Sequence, residues 1–190
     1  MILDLIKLGA DIHRVNVEKG FWEDRTNRNK GEMVMLIVSE LGEAVEAHRK
    51  SRFVNYRSGE FAYVSRTAIT EDGKFEPKLW AECFQSSVKD TVEDEIADTV
   101  IRILDYCQGF KIPLIEREYC KPSTGNFGQD VLRIVHYCIC AYHEEESKDW
   151  GYILAAIQAF CSWYSINLLQ HVNWKLTYNQ SRPYKHGKSY

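Results

Sequence analysis

The sequence predicts a single all-α domain of 190 residues, built as a bundle of about five helices. Apolar residues recur at helical spacing in five segments. Hydrophobic residues make up 45% of the chain, which supplies a sizeable core and excludes a disordered protein. Two pairs of acidic residues, each three positions apart, lie inside two of the apolar patterns, so both members of a pair share one helix face.

The apolar periodicity places the helices in a simple order along the chain. The third helix has good N-cap residues in Asp90 and Thr91, with acids in its first turn, and it ends near Gly109. The five helices are expected at residues 2–18, about 32–50, about 90–109, about 128–146 and about 149–178.

Residues 51–86 predict an irregular insertion between the two helices that carry the acidic pairs. Turn signals occur at Arg57-Ser-Gly-Glu60 and Glu71-Asp-Gly-Lys74. Phe61-Ala-Tyr-Val64 and Thr67-Ala-Ile-Thr70 are expected as short strands or as an ordered loop, and residues 78–84 as a short helix. A basic, proline-broken tail is expected at residues 179–190.

Composition and charge exclude several classes of function. The formal net charge is −3, so no broad basic field attracts nucleic acid. No run of ~18 apolar residues is present, and no membrane span is expected. Six cysteines without a signal-peptide pattern indicate reduced thiols and a cytoplasmic protein.

The acidic pairs are Glu40-x-x-Glu43 and Glu95-x-x-Asp98. A solvated helix face is the ordinary interpretation of such a pair, but these helices are apolar over a wide arc. Only Asp98 has a basic residue four positions later, Arg102. Because a buried unpaired charge is costly, a divalent cation held by all four carboxylates is the better account.

The ligand types indicate which metal the acids would hold. Neither motif contains His or Cys, which argues against zinc. No Glu is followed by a His three residues later, which excludes the di-iron bundle pattern. Carboxylates without nitrogen ligands predict Mg²⁺ or Mn²⁺, and Mg²⁺ is usually completed by water and substrate phosphates.

The two motifs resemble those of the MazG-like all-α nucleoside triphosphate pyrophosphohydrolases. The family signature is Glu-x-x-Glu on one helix and Glu-x-x-Asp on the next, and the string from Ser39 to Arg49 matches the first motif closely. Lys19-Gly-Phe-Trp22 and the segment 175–188 are similar to flanking features of the family. The resemblance covers residues ~10–110 and ~168–188, whereas residues 51–86 and 115–160 depart from it.

The resemblance implies hydrolysis of a (deoxy)nucleoside triphosphate to a monophosphate and pyrophosphate, in nucleotide-pool housekeeping. Glu40, Glu43, Glu95 and Asp98 would hold Mg²⁺, and Glu43 is the guess for the carboxylate that orients the attacking water. Either Trp22 or Phe21 would stack a base, with a core or interface role for Trp22 as the alternative. The residues expected to bind the substrate are Lys19, Trp22, Arg102, Lys175, Asn179, Arg182, Lys185 and Lys188.

Several alternatives to this hypothesis stay open at the level of sequence. The basic tail is equally well explained as a solvated tail, and Arg102 as an ion-pair partner of Asp98 or Asp105. The substrate is open to another phosphoanhydride such as phosphoribosyl-ATP, and a non-catalytic nucleotide sensor or assembly partner would share the fold. A homodimer or homotetramer is expected because the helices have more than one apolar face and relatives commonly oligomerise.

Overall fold

A computed structural model describes residues 2–23, 28–67, 76–119, 121, 123–143, 149–182 and 184. It confirms the all-α class, and its described residues contain no strand. The described residues form eight helices, instead of the expected five or so. They are α1 Ile2–Glu18, α2 Lys30–Arg49, α3 Gly59–Thr67, α4 Pro77–Ser87, α5 Val92–Gly109, α6 Phe127–His143, α7 Asp149–Trp163 and α8 Leu168–Ser181.

Part of the difference lies in the insertion, where the structure forms helices instead of strands or an irregular segment. Residues 61–64, expected as a strand or loop, belong to α3, while the short helix expected at 78–84 is confirmed as α4. Phe61 and Val64 are buried and stand three residues apart, which places them on one helix face. The strand expected from residue 67 falls mostly at positions 68–70, outside the described residues.

The other difference is a break in the long helix expected at 149–178. Ser165 adopts a positive φ of 57°, the amide of Ile166 donates to the carbonyl of Cys161 at 2.8 Å, and the amide of Ser165 donates to the carbonyl of Ser162 at 3.4 Å. This is the Schellman pattern that ends a helix. Asn167 then caps α8 by accepting from the amide of Gln170.

The core is centred on α5, which packs against α1, α2, α7 and α8. Residues on nearly every side of α5 are buried, so its polar side chains must find partners inside the protein. Helix α6 packs on α2 and α7. His48 stacks on Phe127 at 4.0 Å while a Cβ at Gly31 would approach Tyr142, so α2 and α6 run antiparallel.

A second apolar cluster lies where the insertion packs on α8. It joins α3 and α4 to two aromatic residues of α8, and so attaches the insertion to the bundle. Its buried members are Val54, Phe61, Val64, Trp80, Phe84, Val88, Trp174 and Tyr178.

Among the described helices, none taken singly has both the length and the apolar character needed to cross a membrane. The helices α7 and α8 pass the same test only when joined, and they meet at a bend of 107°.

Candidate active site

A cavity of about 610 Å³ opens between α2, α5 and α8. This volume falls within the range of small-molecule sites. Each helix contributes side chains spaced by three or four residues, which is the spacing of one helix face. The lining residues are Asn16, Phe21, Arg28, Met33, Leu36, Glu40, Glu43, Lys89, Asp90, Glu95, Asp98, Ile101, Arg102, Asp105, Lys175, Asn179 and Arg182.

The polar wall of the cavity is a stripe along α5. Glu95, Asp98, Arg102 and Asp105 follow one another at intervals of three, four and three residues. The stripe lies on the helix at the centre of the core, so its charges are compensated by neighbouring groups instead of bulk water.

Three carboxylates converge at this wall. Oxygen atoms of Glu40, Glu95 and Asp98 lie within 4.8 Å of one another, and Glu40 and Glu95 are buried. Glu43 lines the same cavity but is exposed, and it does not belong to this group of three. A second group within the same distance joins Asp90, Asp94 and Glu95.

Two cations of the protein already compensate part of this charge. The Nε of Arg102 donates to Oε1 of Glu40 at 2.6 Å, so Arg102 pairs with an acid of the first motif. The ammonium of Lys175 lies 2.7 Å from Oδ2 of Asp94 and 2.8 Å from Oδ2 of Asp98. Lys175 therefore connects α8 to two successive turns of α5.

The burial of the acids changes their affinity for protons. Burial, with Asp94 and Asp98 nearby, raises the pKa of Glu95 to about 9. Burial and the charge of Asp98 also raise the pKa of Glu40, against the opposing effect of Arg102. Concentrated negative charge of this kind is relieved by binding a cation.

Lys175 responds in the opposite sense to the same environment. Burial acts to lower its pKa, but the carboxylates of Asp98 and Asp94 outweigh burial and raise the pKa of Lys175. The ammonium is therefore charged at neutral pH, and its side chain is only 5% exposed.

The chemistry of the donor set fits a hard divalent cation. The three converging ligands are carboxylates, without nitrogen or sulfur donors in the group. Mg²⁺ and Mn²⁺ prefer oxygen ligands, and Mg²⁺ commonly uses one or two carboxylates and completes its shell with water and phosphate oxygens.

Further cations and one aromatic ring complete the cavity lining. Arg28, Lys89 and Arg182 line it together with Arg102 and Lys175. Among the residues that the structure describes, neither Arg28 nor Arg182 forms an ion pair, whereas Lys89 pairs with Asp90. Phe21 lines the cavity as well.

Trp22, the aromatic neighbour of Phe21 in the chain, lies in the core. Trp22 is buried and donates through Nε1 to both carboxylate oxygens of Asp105 at 3.0 Å, and His13 contacts the same carboxylate at 2.8 Å. Trp22 does not belong to the cavity lining, so of the two rings considered for base stacking it is Phe21 that faces the cavity.

Of the other expected substrate contacts, four line the cavity and Lys19 does not. Arg102, Lys175, Asn179 and Arg182 line the cavity. The ammonium of Lys19 donates to the backbone carbonyl of Gln180 at 3.0 Å and to that of Arg182. Lys19 therefore connects the loop after α1 to the end of α8. Lys185 and Lys188 lie outside the described residues.

Sequence reasoning missed Arg28, Lys89 and Asp94 as members of this site. Asp94 carries a signal, because it stands four residues before Asp98 on one helix face. Arg28 and Lys89 lie in connecting segments, where spacing gives no information about orientation.

Comparisons of the chain with protein-family models, with curated proteins and with solved structures gave no match. The resemblance to the MazG-like family stays a prediction carried by the two motifs and their flanks.

Proposed function

We propose that the protein is a Mg²⁺-dependent pyrophosphohydrolase that cleaves a (deoxy)nucleoside triphosphate into the monophosphate and pyrophosphate. The observation that carries this proposal is the convergence of Glu40, Glu95 and Asp98 on one wall of a cavity that is also lined by five basic residues. A site with both signs of charge suits a metal-bound polyphosphate, which brings a cation and several anionic oxygens together.

Glu40, Glu95 and Asp98 are the residues that would hold the metal ion. When bound, Mg²⁺ would supply Lewis-acid stabilisation of charge on the phosphate oxygens. Arg28 and Arg182 are the cations best placed to bind the remaining oxygens, because neither forms an ion pair with another described residue.

Glu43 is proposed to orient the attacking water. It faces the same cavity, it is exposed, and it stands outside the group of three carboxylates, so its oxygens are available to accept a proton from water. Its position one helical turn after Glu40 places it beside the metal ligands.

The base of the substrate is proposed to pack against the apolar part of the lining. Phe21, Met33, Leu36 and Ile101 form this part. An aromatic ring beside aliphatic side chains stacks on any base, so this surface supports binding of a nucleotide without choosing among bases.

We also propose a cytoplasmic protein that self-associates. Five cysteines in the described part of the chain are free thiols, as in a reducing compartment. Leu132 and Ile139 of α6 are exposed at 67% and 46% and stand seven residues apart on one face, which supports an interface between copies.

The activity test incubates the purified protein with Mg²⁺ and a panel of ribo- and deoxynucleoside triphosphates, and products are separated by ion-exchange chromatography. We expect equal amounts of monophosphate and pyrophosphate. E46Q is the matched control for a glutamine variant of a cavity glutamate such as E95Q, because Glu46 lies on α2 but pairs with Arg49 and Lys50 outside the cavity.

The other outcomes separate the alternatives. Release of orthophosphate would mean a different point of cleavage, and turnover of phosphoribosyl-ATP alone would assign another phosphoanhydride. Binding of triphosphates without turnover would favour a nucleotide sensor.

A further inference from the structure

The ammonium of Lys175 is enclosed by two carboxylates and one aromatic ring. Its Nζ lies 6.0 Å from the centre of the Phe84 ring, in addition to its contacts with Asp94 and Asp98. Phe84 belongs to α4, in the insertion, and is fully buried. A cation within about 6 Å of a ring centre is attracted by the ring, and an apolar ring also excludes water from the ammonium.

Phe84 is held in place by stacking within the second apolar cluster. Its ring stacks on Tyr178 at 4.7 Å and on Trp80 at 5.4 Å, with interplanar angles of 21° and 22°. Tyr178 stands three residues after Lys175 on α8. The aromatic stack therefore fixes Phe84 against the same face of α8 that carries the ammonium.

The chain after Phe84 leads directly into α5, the helix that carries Asp94 and Asp98. The carbonyl of Phe84 accepts from the amides of Val88 at 2.9 Å and Lys89 at 3.0 Å. The hydroxyl of Thr91 donates to the carbonyl of Val88 and accepts from the amide of Asp94, which caps α5. The end of the insertion is thus connected to both helices whose charges meet at Lys175.

We propose that Phe84 is a positioning residue that holds the Lys175 ammonium between Asp94 and Asp98. The inference rests on the proposed function, since Asp98 is one of the residues proposed to hold the metal ion. In this role the insertion holds the Lys175 ammonium against Oδ2 of Asp98, a residue that also lines the cavity.

The first test observes the Lys175 ammonium directly and does not require enzymatic activity. Proton–nitrogen NMR of the full chain detects a lysine ammonium when burial slows the exchange of its protons with water. The signal of Lys175 is identified by its absence from the spectrum of K175R. We expect F84L to broaden or remove it and F84Y, which keeps the ring, to retain it. If F84L does not fold, F84M keeps a side chain of similar volume and takes its place.

The matched control is F61L. Phe61 lies in the same apolar cluster and packs edge-on against Trp174 at 5.4 Å, so F61L also removes a buried ring, but the ring over the Lys175 ammonium is that of Phe84. A retained ammonium signal in F84L, or equal loss in F84L and F61L at equal thermal stability, would overturn the proposal.

The second test measures turnover. We expect F84L to lower kcat by about tenfold with little change in KM, because a misplaced group beside a metal ligand impairs the reaction more than binding. F61L should keep kcat within about threefold of the wild type. Absence of turnover in the wild type would overturn the proposed function, while the NMR comparison would still decide the role of Phe84.

Discussion

Arg102 of α5 donates to Glu40 of α2 across 2.6 Å, and this charge-assisted hydrogen bond joins the two helices that carry the acidic motifs. The side chain of Glu40 is 7% exposed and that of Arg102 is 30% exposed, so the pair lies at the boundary between the cavity and the core. The two helices are connected at this point by charge as well as by apolar contact.

Replacing Arg102 by Met should destabilise the protein when no divalent cation is present. The loss leaves Glu40 buried without its partner, and we expect the free energy of unfolding to fall by about 1–3 kcal/mol. Added Mg²⁺ should restore part of the loss, because a cation at the carboxylates replaces the missing charge. Urea unfolding with EDTA or Mg²⁺ measures both effects.

The control for this prediction is R49M. Arg49 lies on α2, the helix of Glu40, and pairs with Glu46, but this pair is at the surface. Its loss should change stability far less than the loss of Arg102 does, because water screens a surface pair. Unchanged stability of R102M in EDTA would show that the Glu40–Arg102 pair contributes nothing to folding.

Replacing Glu95 by Gln should abolish metal binding and turnover but preserve the fold. Because burial raises the pKa of Glu95 to about 9, its carboxyl is protonated at neutral pH without a cation, and Gln resembles that form. We expect the free energy of unfolding to change by less than about 1 kcal/mol. Mn²⁺ affinity, followed by electron paramagnetic resonance, should fall at least about a hundredfold. Wild-type Mn²⁺ affinity in E95Q would remove Glu95 from the site.

Stability should depend on pH through His171. Burial lowers the pKa of His171 from 6.5 to about 4, so the folded protein binds this proton less readily than the unfolded chain. The contribution of neutral His171 is fully present above pH 6.5 and is lost as the pH falls towards 4. The difference in unfolding free energy between wild type and H171Q should therefore shrink on acidification, by up to about 3 kcal/mol.

The pH experiment compares urea unfolding at several pH values. H136Q is the control, since His136 is an exposed histidine of α6. Glu93 lies near His171, because its carboxyl accepts from the hydroxyl of Tyr56, which also contacts His171. Glu93 titrates in both the wild type and H171Q, so its effect cancels when the two unfolding free energies are subtracted. A difference that stays constant with pH would contradict the prediction.

Two glycines should respond in opposite directions to the addition of a methyl group. A Cβ at Gly151 would lie 1.9 Å from the carbonyl oxygen of Ile115, whereas a Cβ at Gly42 meets nothing within 4 Å. G151A should lose at least about 2 kcal/mol of stability. G42A, in an exposed helix interior, should gain about 0.5–1 kcal/mol. Thermal unfolding measures both, and equal effects would contradict the packing of Ile115 on α7.

Replacing Leu132 by Asp should dissociate the proposed oligomer into monomers. A charge in the middle of the exposed apolar face of α6 would have to be desolvated at an interface. Light scattering after size-exclusion chromatography gives the mass, with L3D on α1 as the control for an exposed leucine elsewhere. A wild-type monomer would contradict self-association, and an L132D oligomer would place the interface on another face.

The sequence predicted most reliably what depends on neighbouring residues. The bounds of α1, α2 and α5 follow from apolar periodicity and from caps such as Thr91. The same local reasoning located the residues of the α5 stripe, because helical spacing alone puts Glu95, Asp98 and Arg102 on one face.

What the sequence did not predict depends on distant contacts or on backbone conformation. Helix α3 buries Phe61 and Val64 against residues of α4 and α8, and no local pattern of α3 reveals that partner. The break before α8 uses Ser165 in a conformation that glycine normally adopts, so the usual signal is missing. The ion pair of Lys175 with Asp94 joins positions 81 residues apart.

The three ion pairs made by Arg102 and Lys175 have a consequence for how the protein is made. Arg102 pairs with Glu40, and Lys175 pairs with Asp94 and Asp98, so the protein's own cations neutralise these carboxylates without an ion from outside. Synthesis in a metal-depleted cell should therefore yield a native bundle that is ready to be loaded. Under the proposed Mg²⁺ dependence, the supply of divalent ions would control the activity of the protein and would have little effect on the amount of folded protein.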